Sequence, residues 1–478
     1  MLNVSNEGLV NLIKEFEPEE VDTNDLSYGR FFADVFRDVA AYNTTTNSWY
    51  VYNGKIWAND DESMGVYSLA KRLCDGLLMY AATMQDGSVK NEFVKWIGKY
   101  TVLKNRETMI RDARSEYYMS KDELDVDIYA FNCQNGTICL KTFEHTPHNA
   151  ESLISKIGSV SYDPEARCER WEQFIDEVME GDTDKINYFQ KLLGYSLTGL
   201  TEVEQLFILY GKSTRNGKST ALETFSYMLG GSDGYALTIA PETLAIKVNK
   251  DSRSHSTDVA RLRGARFINA PEPPSRMLLD SALVKTWTGN DTISAREIFE
   301  KQSEFRPQFK LFMNTNFLPI VDKTLFASNR INVIEFNRHF EQHEQDPTLK
   351  ATLRQPENLS GILNWCLRGL KAYYTEGLIP PQCVLDANRE YCESSDKIQQ
   401  FINDCLTKTD KNEKGGTVYN AYKKWCDECE IHPLSKSNFY EEMKTKKLHS
   451  KTGTVQGKTE KNVIIGYEIA NDETWEVM

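Results

Sequence analysis

The 478-residue sequence has no stretch near the ~18 consecutive apolar residues that a membrane span needs. Its first residues, Met1-Leu-Asn-Val-Ser-Asn-Glu-Gly, lack the basic stretch and apolar core of an export signal. The expectation is a soluble, cytoplasmic protein with no membrane partner. Closely spaced cysteines are scarce. Of ten, only Cys426 and Cys429 lie near each other, with His432 three places on. Zinc needs a fourth ligand and usually a second paired element, so reduced, mostly buried thiols are expected. Internal repeats and low-complexity segments are absent too. Positive charge is in deficit, with 56 Lys and Arg against 70 Asp and Glu and a formal net charge of −14. Neutralising phosphates takes Lys and Arg, so a protein coated all over in nucleic acid is excluded. Contact through one module or a narrow channel is not. Residues Pro433 to Asn462 carry seven lysines against three glutamates, a local basic surplus in an acidic chain.

What is present has the balance of globular protein, 40% hydrophobic and 26% charged, and the length predicts roughly two to four domains. The most informative stretch is central. An apolar run, Leu206-Phe-Ile-Leu-Tyr210, breaks into Gly211-Lys212-Ser213-Thr214-Arg215-Asn216-Gly217-Lys218-Ser219-Thr220, and a helix-compatible segment follows. Strand, glycine-bounded loop, Gly-Lys-Ser and helix is the layout of a phosphate-binding loop in an α/β fold. Backbone N–H groups in the loop and at the new helix's N-terminus converge on one spot and attract an anion. Lys218 supplies a point charge for the β- and γ-phosphates of ATP, and the Ser219 hydroxyl is a ligand for Mg²⁺. The strict pattern places its first glycine at position 212, which is Lys212; Gly211 lies one place early. Either Gly211 or the bend from Lys212 to Arg215 must do that glycine's work.

Residues 1–145 read as an α+β accessory domain. Trp49-Tyr-Val-Tyr-Asn-Gly-Lys-Ile-Trp57 predicts a hairpin turning at Asn53-Gly54. Its aromatics could stack on bases, but their area makes them core first. Helical periodicity runs from Met64 to Met84 and from Lys90 to Tyr118. Asp125-Val-Asp127 has the look of a metal-binding carboxylate pair, yet nothing nearby supplies further ligands, so a structural role is expected. Asn132 to Leu140 predicts a second hairpin. Helices lead from about 165 into an ATP-type domain over 146–345, with a helical connector over 346–395 thinning at Gly377-Leu-Ile-Pro-Pro381. Residues 396–478 predict three helices (Ile398–Leu406, Val418–Cys429, Ser435–Lys444) and an alternating strand, Val463–Ile469, a winged helix-turn-helix pattern.

Downstream of the loop the order of polar residues is informative. Arg266-Phe-Ile-Asn-Ala-Pro-Glu272 is an apolar strand ending in an acid, where a nucleotide hydrolase orients water or holds Mg²⁺ through water. The usual second acid is missing, because Pro271 precedes Glu272. Phe309-Lys-Leu-Phe-Met-Asn314-Thr-Asn316-Phe-Leu-Pro319 is a buried-type strand ending in amides able to sense a γ-phosphate. Arg330 precedes the next apolar strand, where it could reach a neighbouring subunit's nucleotide. Between these lie Leu283-Val-Lys-Thr-Trp-Thr-Gly-Asn-Asp-Thr-Ile-Ser-Ala-Arg296 and Phe299-Glu-Lys301-Gln-Ser-Glu-Phe-Arg306-Pro307.

These runs resemble the superfamily 3 helicases of the phage and plasmid primase–helicase family, related to the poxvirus primase–helicase. The matching segments are that family's Lys-x-x-Thr-Gly-x-Asp…Ala-Arg, Phe-x-Pro-x-Phe-Lys and Thr-Asn-x-x-Pro. The hairpin to Trp57, Tyr162-Asp-Pro-Glu-Ala-Arg-Cys168 and Leu193-Gly-Tyr-Ser-Leu-Thr-Gly199 resemble its N-terminal region. Tyr419-Asn-Ala-Tyr-Lys-Lys-Trp-Cys426 and Leu434-Ser-Lys-Ser-Asn-Phe439 resemble its C-terminal module. The likeness does not include the family's frequent N-terminal primase domain, so priming is not implied.

The resemblance implies an AAA+-like P-loop core that assembles as a homo-oligomeric, commonly hexameric ring around single-stranded or forked DNA. It implies ATP between subunits, Lys218 and Ser219 on phosphate and Mg²⁺, Glu272 activating water, Asn316 as sensor and Arg330 as the neighbour's finger. Lys301 and Arg306 would grip one strand in the channel, and Lys436, Lys444, Lys446 and Lys447 would meet DNA from the C-terminal module. A separate primase or other replication factors, in the host cytoplasm for a phage protein, complete the expected partners. Two other classes fit the same site: an ATP-switched initiator that melts or marks an origin, and a scaffold with a degenerate loop.

Overall fold

The computed structural model describes residues 5–21, 25–120, 123–246, 259–275, 277–295, 303–428 and 433–470. The chain forms two compact units, Met1–Pro319 with Asn329–Val384, and Ile320–Ser328 with Leu385–Met478. This division cuts across the four consecutive domains expected from sequence, because a short central segment belongs with the C-terminal residues.

The first unit opens with helices α1 (Asn6–Glu15) and α2 (Asp25–Val35) and strands β1 (Ala40–Asn43), β2 (Ser48–Tyr52) and β3 (Trp57–Asp60). Helices α3 (Met64–Thr83), α4 (Ser88–Tyr100) and α5 (Leu103–Ala113) follow, then β4 (Tyr118–Met119). The strands form one sheet in the order β3-β2-β1-β4. The β2–β3 turn falls at Asn53–Gly54 as the sequence predicts, with Gly54 at φ 94°. Trp49, Tyr50 and Trp57 are buried, and Tyr28 stacks on Tyr100 at 4.5 Å inside the helices. These aromatics are core. The continuous helix expected over 90–118 is two helices, broken at Thr101–Val102. Strands β5 (Ala130–Cys133), β6 (Gly136–Cys139) and β7 (Glu144–Thr146) make the second hairpin sheet. Asp125 accepts the Ser155 N–H at 2.8 Å, tying two segments thirty residues apart, and Asp127 closes a local turn by accepting that of Tyr129 at 2.8 Å.

Helices α6 (Glu169–Val178) and α7 (Thr183–Ser196) lead to the centre of the unit. Five strands, β8 (Leu206–Tyr210), β9 (Ala236–Thr238), β10 (Phe267–Pro271), β13 (Lys310–Thr315) and β14 (Ile331–Glu335), form a wholly parallel sheet in the order β14-β8-β13-β10-β9. Parallel strands are covered on both faces and read as continuous apolar runs. Every residue of β13 is buried, as are the first four of β8 and β14. Phe207, Phe267 and Phe312 line one face, and Phe225 of helix α8 (Lys218–Met228) meets Phe267 edge-on at 5.3 Å. Helix α9 (Ser281–Thr288) and the antiparallel hairpin β11 (Ile293–Ala295) and β12 (Ser303–Phe305) lie between β10 and β13 in the chain. A short α11 (Leu349–Leu353) and the long α12 (Pro356–Glu376) follow β14, and α12 ends at Gly377 ahead of the Pro380-Pro381 connector.

The amino ends of the strands bury two cations that donate to backbone carbonyls. Lys310 donates to the carbonyls of Thr198, Leu200 and Gln308, the last two at 3.3 Å. Arg266 donates to Leu197 and Ala130 carbonyls at 2.6 and 2.7 Å and lies over the Tyr235 ring. Burial pushes the pKa of both below the ordinary values.

The second unit contains the short helix α10 (Lys323–Ala327), α13 (Gln382–Ser394, from Leu385 on), α14 (Lys397–Cys405), α15 (Gly415–Glu428) and α16 (Lys436–Thr445). Phe401, Tyr422 and Phe439 join the last three, with Phe401 and Tyr422 rings 5.3 Å apart. Strands β15 (Leu406–Lys408) and β19 (Tyr467–Ile469) pair, and β16 (Glu413–Lys414), β18 (Lys458–Ile464) and β17 (His449–Val455) form a three-stranded sheet. The single strand expected over 463–469 is therefore two, parted at Gly466 with φ 71°. Segment 320–328 is held here by Phe326 edge-on to Tyr391 at 5.2 Å and by Lys323, whose Nζ lies 2.8 Å from Asp396 and 3.3 Å from Glu442. No helix among the described residues is long and apolar enough to cross a membrane.

Candidate functional site

Sheets of this kind place ligands beyond the carboxyl ends of their strands, where the strand order reverses. β8 delivers the chain to that end, with Gly211 N–H still bonded to the Thr315 carbonyl at 3.3 Å. A Cβ on Gly211 would lie 2.2 Å from Asn216 Nδ2, 2.5 Å from the Phe336 carbonyl and 3.1 Å from Lys218 Nζ. Gly211 thus does the close-packing work. The turn is shared between Arg215 at φ 58° and Gly217 at φ 85°, the residue that caps α8. Asn216 ties the loop internally through its amide to the Ser213 carbonyl at 2.7 Å. The segment after β14 props it from outside: Phe340 N–H bonds the Arg215 carbonyl at 3.0 Å, His339 Nδ1 sits 2.8 Å from the Thr214 carbonyl, and Arg215 reaches Gln345.

Lys218, the first residue of α8, is 4% exposed. Its Nζ donates to Asn316 Oδ1 at 2.8 Å and to the Gly211 carbonyl at 3.5 Å. Burial pushes its pKa down to about 8, with the Glu272 carboxylate acting in the opposite sense. Glu272 follows the last residue of β10, exposed and at φ 50°, its N–H donating to the Asn314 carbonyl at 2.8 Å. A non-glycine residue held left-handed is a strained arrangement of the kind found at functional sites. Thr315 Oγ1 accepts the Phe317 N–H at 2.9 Å and so shapes the turn that carries Asn316 over Lys218. Loop, Lys218, Ser219, Glu272 and Asn316 therefore converge, although they are far apart in sequence.

Asn314 was one of the two amides noted at this strand end, but the sensor role was given to Asn316 and none to Asn314 by itself. It is 4% exposed, its Nδ2 lies 3.4 Å from Ser219 Oγ, and its Oδ1 has no hydrogen-bond partner among the described residues. Strand parity was the available signal: Asn314 shares a face with Phe312, the face that α8 covers. Arg330 is not at the loop. It precedes β14, and its carbonyl bonds Leu206 N–H at the amino end of the sheet, roughly 16 Å from Gly211 at 3.3 Å per strand residue. Its guanidinium pairs with Glu204 at 2.9 Å and donates to Thr288 Oγ1 at 3.2 Å.

Arg306 is exposed immediately after hairpin β11–β12; Lys301, like Arg296, lies outside the described residues. In the second unit Lys436, Lys444 and Lys447 are exposed, whereas Lys446 is half-buried and paired with Asp396 and Gln399, an internal tie in place of the expected DNA contact. Exposed Lys451, Lys458 and Lys461 on hairpin β17–β18 add basic groups that sequence reasoning counted without singling them out. Cys429 and His432 lie outside the described residues, among which no group of three or more His, Cys, Asp or Glu could hold a metal. Mg²⁺ does not require such a cage, since it keeps several waters and takes few protein ligands beside phosphates. Ser219 Oγ and the unsatisfied Asn314 oxygen, with Glu272 near, fit such an ion.

Residues 29–180 match the family described as D5 N terminal like, and residues 393–472 match the one described as Poxvirus D5 protein-like. Over these N- and C-terminal stretches the chain is similar to poxvirus D5-like proteins. Two viral proteins are similar to the chain in sequence. "Putative helicase L207/L206" of Acanthamoeba polyphaga mimivirus is 26% identical over 414 residues, 78% of this chain and 42% of that protein. "Putative helicase 022R" of Frog virus 3 is 25% identical over 244 residues, 46% of this chain and 24% of that protein. The chain thus spans less than half the length of these two relatives. Among solved structures, the apo C-terminal region of NrS-1 has a TM-score of 0.38 at 13% identity, over 64% of this chain and 77% of that one. A second form, residues 305–718, has 0.38 at 11%, over 69% and 91%. Overlap that low leaves the architecture to rest on the sheet itself.

Proposed function

We propose that the chain is an ATP-driven DNA helicase motor serving the replication of a virus, phage or other mobile element. The observation that carries this reading is the convergence of Lys218, Ser219, Glu272 and Asn316 at the carboxyl ends of three adjacent parallel strands. The strand order, with β13 between the phosphate-loop strand and the strand of Glu272, fits an AAA+-like P-loop core. The helicase names of the viral relatives support the motor over other nucleotide hydrolases.

ATP with Mg²⁺ would supply the phosphoanhydride bond and part of the charge neutralisation its hydrolysis needs. The chain's residues do the rest. The first-turn N–H groups of α8 have no intrahelical acceptor and point at the phosphates. Lys218, now bonded to Asn316 and Gly211, would turn its donors to the phosphate oxygens, and Ser219 Oγ would help hold the ion. Glu272 orients the attacking water and takes its proton. Asn316, released by Lys218, bonds the γ-phosphate and so distinguishes ATP from ADP. Arg330, too far from its own loop, serves a neighbour's nucleotide in a ring, most simply a hexamer, in which each subunit offers the Glu204–Arg330 edge to the next. The chain from β11 through β12 supplies Lys301 and Arg306 to one DNA strand, gripped through its backbone without sequence preference. The second unit is read as a winged helix that meets duplex DNA through Lys436, Lys444, Lys447 and the β17–β18 lysines.

The test is ATP turnover with and without single-stranded DNA, together with separation of a forked duplex, on the full chain. DNA-stimulated turnover and strand separation are expected, both lost in Lys218→Ala. Turnover without any separation would overturn the motor and favour the other reading, an ATP-switched initiator, to which the basic three-helix second unit lends weight. Arg330→Ala should bind nucleotide normally and hydrolyse it poorly, and mixing it with Lys218→Ala should restore activity at shared interfaces.

A further inference from the structure

Nucleotide hydrolases of the phosphate-loop type commonly place two acids at the end of the strand that carries the water-activating glutamate. Here the position before Glu272 is Pro271, which can neither ligate nor accept a proton. The ladder shows what stands beside it. Pro271 is registered directly opposite Asn314 on β13, and residues opposed in a parallel ladder project to the same face. That face is the one α8 covers, and Asn314 reaches across to α8, with Nδ2 3.4 Å from Ser219 Oγ. The backbone of Asn314 also receives the Glu272 N–H at 2.8 Å, so one residue touches both the serine and the acid of the site.

The second observation is that Asn314 is 4% exposed while its Oδ1 has no hydrogen-bond partner among the described residues. Leaving a buried amide oxygen unsatisfied costs about 1–3 kcal/mol. An apolar residue would avoid that penalty, as Leu311, Phe312 and Met313 do just before it on the same strand. An unsatisfied acceptor kept beside Ser219, next to a helix N-terminus built for phosphate, implies a ligand that arrives with protons to donate. Water bound to a divalent cation is such a ligand, because the cation polarises its O–H bonds.

We propose that Asn314 is the positioning residue for the magnesium ion of the nucleotide, taking the place that Pro271 leaves without an acid. Its Nδ2 holds the Ser219 hydroxyl with one lone pair turned to the ion, and its Oδ1 accepts a hydrogen bond from a metal-bound water. Glu272 is left alone to handle the attacking water, so the two duties usually assigned to paired acids on one strand are divided between two strands. This proposal rests on the ATP-site reading and adds a residue to it.

The experiment uses the full chain and a fluorescent ADP analogue, titrated first without metal and then with Mg²⁺ at fixed nucleotide. Metal-free nucleotide affinity reports the loop and Lys218, whereas the Mg²⁺ midpoint reports the ion's own holders. Asn314→Leu should leave the metal-free affinity unchanged and raise the Mg²⁺ midpoint by about tenfold to a hundredfold, the usual consequence of removing a group that orients a metal's ligands. Asn314→Asp, which restores an acid, should lower the midpoint below wild type. A wild-type midpoint in both variants overturns the proposal. If Asn314→Leu does not fold, Asn314→Asp decides alone, an unchanged midpoint counting against it. A wild-type chain that binds no nucleotide with or without Mg²⁺ overturns the ATP site itself and this assignment with it, an outcome distinct from an unmoved midpoint in a nucleotide-binding chain.

Discussion

Each end of the parallel sheet buries a lysine, and the two are used in opposite ways. Lys218 at the carboxyl end and Lys310 at the amino end are 4% and 3% exposed, and burial lowers the pKa of both. An ammonium has three donors. Lys310 engages three backbone carbonyls, so nothing is left to offer a ligand. Lys218 has one good acceptor, the exchangeable Asn316 amide, and one at the 3.5 Å limit. It also stands at a helix N-terminus beside a carboxylate in strained backbone. Depth of burial therefore does not separate the two lysines. Unused donor capacity facing other polar groups does.

The contrast between the two ends is probed hardest by Glu272→Gln, which should retain nucleotide binding while turnover falls by roughly 10²–10⁴, the range for losing a positioned general base. Phosphate release measured beside analogue binding separates the two. Lys218→Ala should lower turnover by about 10²–10³ without lowering the melting temperature, because the folded chain disfavours that buried charge. A large thermal destabilisation would instead make Lys218 a structural lysine like Lys310.

The next effect is on pH dependence. In the nucleotide-free chain burial lowers the Lys218 pKa to about 8, against an ordinary 10.5, and phosphates bound beside it would hold the proton on. ATP affinity should be level below pH 8 and fall above it by roughly tenfold per pH unit until the bound form also titrates. The folding contribution has the other sign. Between 8 and 10.5 the unfolded lysine binds more protons than the folded one, so this group's contribution to stability improves as pH rises through that window. Titration calorimetry at pH values of about 7, 8 and 9 reads the first and urea melts read the second. The smallest effect on nucleotide is expected at Lys310→Met. Stability should drop by about 1–3 kcal/mol as carbonyls lose their donor, with ATP affinity per folded molecule unchanged. A fall in affinity matching that of Lys218→Ala would erase the distinction between the two lysines.

Much of this was legible in the sequence. The apolar run to Tyr210, the glycines, Lys218 and the helix behind them belong to one continuous stretch, where spacing alone conveys geometry. Glu272 and Asn316 could be placed because each ends an apolar strand. Asn314 could be noted as an amide at a strand end but not told apart from Asn316, since its place opposite Pro271 is a register that local pattern does not encode. The loop's displaced glycine was likewise undecidable until Asn216, Phe336 and Lys218 were seen crowding Gly211. Lys446 looked like a free basic residue because its partner Asp396 lies fifty positions away. The break at Gly466 was hidden by residues whose alternation suits two short strands as well as one.

Segment Ile320–Ser328 has a practical consequence for dissecting the chain. Domain boundaries are usually cut at exposed linkers such as Gly377–Pro381. A fragment beginning at Leu385 would be severed from Lys323 and Phe326, leaving the nearly buried Asp396 with one lysine where it had two and Tyr391 without its edge-on neighbour. The C-terminal fold is discontinuous in sequence. Its gene segment cannot be moved, swapped or expressed as a cassette without also transplanting nine residues from between Asn316 and Arg330.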